Sequence, residues 1–299
     1  SSNYEDNNAV DGLLGDALKC ASNVLDTEKN IDSTSNNNNS SNDDNTITKM
    51  APSSYRNNPC ISLTALTHQQ WEYVLRPGMD SAIDATCGNG HDSKKLAEIL
   101  FSDNWGKFKS SSSLICIDIQ AGACDATKEA VRKVLDNNDI LENNNNVQVL
   151  QASHASLLPQ IASLSSPLAL VCWNLGYLPR SDDKLLRTEV RSTISSIVDA
   201  AISIRIGGML SVMTYPKTNA DEDSAVRLLF VELSLLSSTN RLSDGGSGDD
   251  SLKIKEIVTD AIDRIKDNNN GRKQSWRVME HKPLGRPLSP ILLTATRIK

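Results

Sequence analysis

The stretch SAIDATCGNGHDSKKLAEILF, from Ser81 to Phe101, constrains the fold of this chain more than any other. Ser81 to Ala85 is a short apolar run with strand character, and it carries an acid, Asp84, near its end. A turn of small residues follows, with Gly88 and Gly90, and from Ser93 to Phe101 the apolar residues take helical spacing. A strand that feeds a helix through so short a turn is half of a β–α–β unit, and such units build parallel sheets. Open sheets of this kind bind ligands beyond the carboxyl ends of their strands. An acid there, beside glycines that admit a close backbone approach, suits a nucleoside-bearing cofactor. The turn alone does not say which cofactor, and a plain strand–turn–helix connection gives the same pattern.

The alternation continues on both sides. Leu63 to Val74 reads as a helix. Ser113 to Ile117 reads as a strand ending in Asp118, Ala121 to Leu135 as a helix and Val147 to Gln151 as a strand. Leu168 to Trp173 is a strand, Thr188 to Arg205 a helix, Met209 to Thr214 a strand and Ala220 to Leu236 a helix. Trp276 to His281 and Ile291 to Ile298 are strands with no helix between them, so they pair antiparallel. The expected fold is α/β: a Rossmann-like, mostly parallel seven-stranded sheet with an antiparallel last strand and helices on both faces.

Three tracts rich in Asn, Ser, Asp and Gly interrupt the domain at about 136–146, 237–251 and 267–273, and read as surface insertions. Leu252 to Ile265 reads as an extra amphipathic helix. Residues 1–58 read as a disordered tail and 59–299 as the domain. The Asn, Ser and Asp run from Asn36 to Asn45 cannot bury enough surface to offset chain entropy. That tail explains the acidity. Residues 1–50 hold nine acids and three lysines, a net of −6, which equals the value for all 299 residues. Residues 51–299 are therefore balanced, and the acidic total does not exclude a nucleic-acid partner.

From Asp263 to Lys299 nine bases stand against three acids. This surplus can meet phosphates, or simply form a solvated face. The six cysteines form no C-x-x-C pair and only four His are present, so no metal site is expected and a reducing compartment fits. No apolar run reaches the roughly 18–20 residues of a membrane span, so no membrane partner is expected. The expected setting is intracellular: plastid or mitochondrion if a transit peptide precedes Ser1, cytoplasm otherwise. A homodimer is compatible with the sequence, which does not fix the oligomeric state.

A second run, WNLGYLP from Trp173 to Pro179, narrows the cofactor. It follows the fourth strand, so Asn174 stands at a strand end near the glycine turn. A side-chain amide there can face both an activated methyl group and an incoming nucleophile, and can aim an amine lone pair at the methyl carbon. Tyr177 can stack on a planar base or close the site. The rival is a dinucleotide turn, but its rule is G-x-G-x-x-G and position 93 is Ser. The turn also carries polar Asn89, His91 and Asp92 where a pyrophosphate calls for bare backbone amides. The cofactor expected is S-adenosylmethionine (SAM).

Its contacts follow from the strand ends. Asp84 suits the ammonium of the methionine part, directly or through water. Gly88 and Gly90 let the backbone approach, and Asn89 and Asp92 add polar contacts. Asp118 can accept from the ribose hydroxyls with help from Gln120, and Ser153 and His154 stand near the adenine or ribose. Tyr215 and Pro216 can line the substrate entrance. Cys172, inside a strand, reads as core rather than as a nucleophile. His91 and His154 show no ligand spacing. His68 and His281 read as structural or surface residues.

These motifs together resemble one family. DATCGNGHDS, Asp118-Ile119-Gln120, Ser153-His154, Asn174-Leu-Gly-Tyr-Leu-Pro179, Asp182 with Lys184, Thr188, Thr193, Gly208 and Tyr215-Pro216 occur in the order seen in the YtqB-type "putative rRNA methylase" family, over roughly residues 64–299 less the insertions. The resemblance implies a class I SAM-dependent methyltransferase. It implies SAM contacts at Asn89, Asp92, Asp118, Gln120, Ser153 and His154, catalytic roles for Asn174 and Tyr177, and substrate contacts at Pro179, Asp182 and Tyr215. It also implies an acceptor: the 5-aminomethyl group of a tRNA wobble (2-thio)uridine, and so the anticodon stem-loop as partner. rRNA or a small molecule is the alternative acceptor, and a catalytically inactive RNA-binding module the alternative class. An amine must be neutral to attack, and His91 and Asp182 are candidates to take its proton. The chain departs from the family's usual residues at Ser93 (Thr), Arg180 (Gly) and Lys217-Thr218-Asn219 (a small residue and His). The last two departures bear on the substrate, and Arg180 and Lys217 can grip a phosphate.

Overall fold

The inner strands of the sheet are short and apolar, and their side chains alternate between two buried faces. The computed structural model describes residues 62–101, 111–135, 146–176, 189–236, 249–268, 274–284, 286 and 289–299. All lie within the unit that runs from Asn58 to Lys299. The strands are β1 (Ser81–Asp84), β2 (Leu114–Asp118), β3 (Val147–Gln151), β4 (Leu168–Asn174), β5 (Met209–Thr214), β6 (Trp276–His281) and β7 (Ile291–Arg297). The helices are α1 (Leu63–Val74), α2 (His91–Leu100), α3 (Ala121–Arg132), α4 (Leu158–Ala162), α5 (Val190–Ser203), α6 (Ala220–Leu235) and α7 (Asp249–Asp267).

The strands join in the order β3-β2-β1-β4-β5-β7-β6. Neighbours from β3 to β5 are parallel, and β7 runs antiparallel to both β5 and β6. The antiparallel strand is therefore wedged inside the sheet, and β6, at the edge, runs the same way as β5. The expected fold class is the one found, with both faces covered. On one face Ile83, Ile115, Val171, Trp173, Leu210 and Val212 pack against helices α5, α6 and α7. On the other, Ala82, Leu114, Cys116, Leu170 and Cys172 meet α1, α2 and α3. The period-2 alternation of the inner strands thus builds two cores from one sheet.

Element bounds agree with the sequence reading to within a few residues. Helix α2 starts two residues early, at His91, because Gly90 takes a left-handed conformation (φ 77°) and acts as its N-cap. The extra helix α7 starts at Asp249, inside the tract read as an insertion. Its Val258, Ala261, Ile262 and Ile265 are buried in the first core, so it is part of the fold. Short α4, with Pro159 in its first turn, was not anticipated. The tail 1–58 and most of the three insertion tracts lie outside the described residues.

At the amino end of β1 lies a buried clamp. Asp80 is fully buried and takes bidentate contacts from Arg76 and Arg205, the shortest at 2.6 Å from each. Burial alone would raise its carboxyl, but the two guanidinium groups outweigh it and hold it below the usual range. Arg205 also donates to Val74 O, which ties α1 to the loop before β5. The opposite, carboxyl end of the sheet is left for function. The strand order reverses direction between β1 and β4, which makes their carboxyl ends the switch point.

Candidate active site

The glycine turn after β1 is pinned on both sides. Ala85 N donates to Cys172 O on β4 and Cys87 N to Ile117 O on β2, each at 2.9 Å. Gly88 adopts φ 49° and Gly90 φ 77°, both in the left-handed region. A Cβ at Gly90 would stand 2.8 Å from Thr127 Cα, so glycine there lets α3 pack against the turn. Thr127 Oγ1 donates to Gly88 O at 3.1 Å and strengthens the same joint.

Three carboxylates surround this turn with different duties. Asp118, at the end of β2, accepts from Gly88 N (3.0 Å) and Gln120 N (2.9 Å). It is part-exposed, so further lone pairs stay open to a ligand hydroxyl. Asp84 points the other way. Only 1% exposed, it accepts from Ser93 Oγ at 2.5 Å and from Thr86 N at 3.3 Å. Burial, with Asp92 nearby, pushes its carboxyl up to about 7. The sequence places Asp84 against a ligand ammonium, directly or through water; here its carboxyl faces inward and holds the turn together. Asp92, in the first turn of α2, faces the cleft and is engaged by His68 Nε2 at 2.7 Å.

Asn174 closes the other side. Its backbone N donates to Thr86 Oγ1 at 2.7 Å, which stitches β4 to the glycine turn. Its amide Nδ2 faces Asp92 Oδ2 at 3.4 Å, and its Oδ1 accepts from Tyr215 O–H at 2.9 Å. Burial, with Asp92 close by, raises the Tyr215 phenol, so it stays a proton donor at neutral pH. The tyrosine ring lies on Gly176, where a Cβ would come within 3.1 Å of it. A cleft beside Asn174 is lined by Thr64, Thr67, Trp71, Asp92, Met213 and Leu292, among others.

His154 follows β3 and is buried beside Asp118, its ring bonded to the backbone of Ala85. Burial lowers its pKa, so the ring is neutral. Its Nε2 has no hydrogen-bond partner among the described residues. A buried ring nitrogen without a partner is uncommon, and this one lies beside the strand-end carboxylate Asp118. Ser153, the neighbour of His154 in sequence, is exposed, and its Oγ accepts from Ala155 N; Asn89, in the glycine turn, is exposed as well. Cys172 is buried and burial raises its thiol well above the usual range, which fits a core residue.

The structure thus brings together Gly88, Gly90, Asp92, Asp118, Gln120, His154, Asn174 and Tyr215. Tyr177, Pro179, Asp182 and Arg180 lie outside the described residues. Exposed His91 opens α2. The residue that sequence reasoning missed is His68, read as structural or surface. It shares a helix face with Thr64 and Trp71, and that spacing was the one signal that tied it to the site. Among the described residues no group of three or more His, Cys, Asp or Glu could hold a metal, and no helix is long and apolar enough to cross a membrane.

Comparison with known proteins fits the motifs. Residues 114–238 match the family described as "Putative rRNA methylase". A curated chloroplastic tRNA (mnm5s2U34)-methyltransferase of Arabidopsis thaliana is 28% identical over 152 residues, 51% of this chain and 52% of the relative. The chain therefore matches about half the length of that relative. A solved rRNA methylase structure from Clostridium thermocellum, itself described as putative, is 22% identical with a TM-score of 0.50, and the match covers 79% of this chain and 97% of that one. A methyltransferase of Streptococcus mutans, solved with S-adenosylhomocysteine (SAH), is also 22% identical with a TM-score of 0.50, over 78% of this chain and 97% of that one. These structures share the fold seen here.

Proposed function

We propose that this chain, whose residues 114–238 match the rRNA methylase family, is a SAM-dependent methyltransferase. Its acceptor is an exocyclic primary amine on RNA, the 5-aminomethyl group of a tRNA wobble (2-thio)uridine. One observation carries the reading: a neutral amide, Asn174, at the strand end beside the cofactor turn, with its oxygen and nitrogen told apart by Tyr215 and Asp92. The reaction named for the Arabidopsis relative is methylation at the same wobble position and supports the choice of acceptor. Its chloroplast address is the ground for a plastid setting.

The residues present fit the cofactor. Asp118 and Gln120 would hold the ribose, the open Nε2 of His154 the adenosine part, and the backbone at Gly88 and Gly90 the methionine part. When bound, SAM supplies a methyl group already activated on sulfur, so the protein need not activate it further. What the chain adds is orientation. Asn174 Oδ1 can accept from an amine N–H and so direct its lone pair, while Tyr215 keeps that oxygen in place. Asp92 stands by as an acceptor for the proton that an ammonium must lose.

The test is methyl transfer to tRNA and rRNA, read by nucleoside mass spectrometry. Wild-type protein should add one methyl to the aminomethyl-uridine of tRNA and none to rRNA. Asn174→Ala should lower kcat by about 100-fold while SAM affinity stays within about threefold. A wild-type rate from Asn174→Ala would sink the role given to Asn174, and methyl gained by rRNA alone would sink the tRNA reading.

A further inference from the structure

We propose that His68, on helix α1, is a positioning residue of the transfer site that acts through Asp92 on the Asn174 amide. The inference rests on the reading that Asn174 faces the reacting amine.

The observations form one continuous chain. His68 Nε2 meets Asp92 Oδ1 at 2.7 Å, Asp92 Oδ2 faces Asn174 Nδ2 at 3.4 Å, and Asn174 Oδ1 accepts from Tyr215 at 2.9 Å. The side chains of His68 and Asp92 are 21% and 19% exposed, so the pair is sheltered yet open to the cleft. Helix α1 is held for the purpose. Gln70 meets His281 of β6 at 3.2 Å, Trp71 is buried in the core, and the His68 ring sits 5.0 Å from that of Trp71.

Two rotational ambiguities make His68 matter. A side-chain amide can flip its oxygen and nitrogen at little cost unless its neighbours tell them apart. Tyr215, a donor, selects the oxygen, and Asp92, an acceptor, selects the nitrogen. Asp92 is itself free to turn about its own side-chain bonds unless something fixes one oxygen. His68 does so: with Oδ1 taken by the imidazole, Oδ2 is the oxygen left for Asn174. Removing His68 would loosen the carboxylate, then the amide, and only then the amine. The adenosine contacts, around Asp118 and His154, stand apart from this chain.

The separation defines the experiment. Sinefungin carries an amine where SAM has its transferable methyl, whereas SAH carries nothing there. Affinities for both are measured by calorimetry on wild type, His68→Ala, His68→Gln and His68→Leu, alongside kcat for tRNA and thermal unfolding. His68→Ala should leave SAH affinity within about threefold, cut the preference for sinefungin over SAH by about tenfold, and lower kcat by about 10- to 100-fold. His68→Gln keeps a donor and should recover most of both losses, and His68→Leu should recover neither. The Gln and Leu pair carries the test if the Ala variant does not fold. Equal weakening of both ligands, no change in either, or equal behaviour of Gln and Leu would overturn the proposal. Wild-type protein that methylates no RNA, with the two-ligand results as expected, would instead sink the substrate reading and leave His68 in its role.

Discussion

Asp84 and Asp118 have the same side chain at equivalent strand ends, yet the fold gives them opposite work. Asp118 keeps open lone pairs, and Asp84 is sealed, with its carboxyl pushed up to about 7 by burial first and Asp92 second. An unfolded Asp ionises near 3.8. Between that pH and about 7 the folded chain holds a proton that the unfolded chain has lost. This group therefore drains stability as pH rises from about 4 to about 7, and the loss is complete above that. Asp84→Asn should lack this dependence, so its stability relative to wild type should be greater at pH 8 than at pH 5 in urea unfolding. A constant difference would mean that Asp84 is ionised in the fold. The acid, the glycines and Asn174 were all legible in the sequence, because motif spacing fixes which residues stand at strand ends. The direction in which Asp84 turns was not, since it depends on Ser93, nine positions on and across the glycine turn. His68 was hidden for a similar reason: it reaches Asp92 across 24 positions, and a lone His on a helix carries no motif.

At the scale of elements, apolar runs such as LICID and LALVCWN announced strands: β3, β5 and β6 have the bounds that pattern alone gives, β1, β4 and β7 differ by a single residue at one end, and β2 is shifted by one residue at both. Helix α7 was harder. Its amphipathic face was visible, but polar neighbours made it look like decoration on an insertion. Its Ile265 is fully buried in the core shared by α5 and α6. Ile265→Ala should cost about 2–5 kcal/mol in chemical denaturation, as expected for a large-to-small change in a packed core. A loss below about 0.5 kcal/mol would mean that α7 is a surface appendage.

Across the whole molecule, stability and function sit at opposite ends of one sheet. The Asp80 clamp ties the amino end, and the carboxyl ends of β1, β2 and β4 present the site. A ligand that engages three strand ends at once binds only the folded chain. SAH at a hundredfold excess over its Kd should therefore add about 2.7 kcal/mol and raise Tm by roughly 5–10 °C, measured by differential scanning fluorimetry. An unchanged Tm at saturating SAH would speak against the cofactor site.

The strand order has a further consequence, in time rather than in space. β7 follows β6 in the sequence but lies between β5 and β6, and β6 touches the rest of the sheet only through it. As the ribosome delivers the chain, β5 and β6 emerge with nothing to join them. The sheet stays open at that edge until residues 291–297 leave the exit tunnel. A nascent chain paused before Ile291 thus exposes the edge of β5, next to Asn174, and is open to chaperones until the last strand slides into its gap.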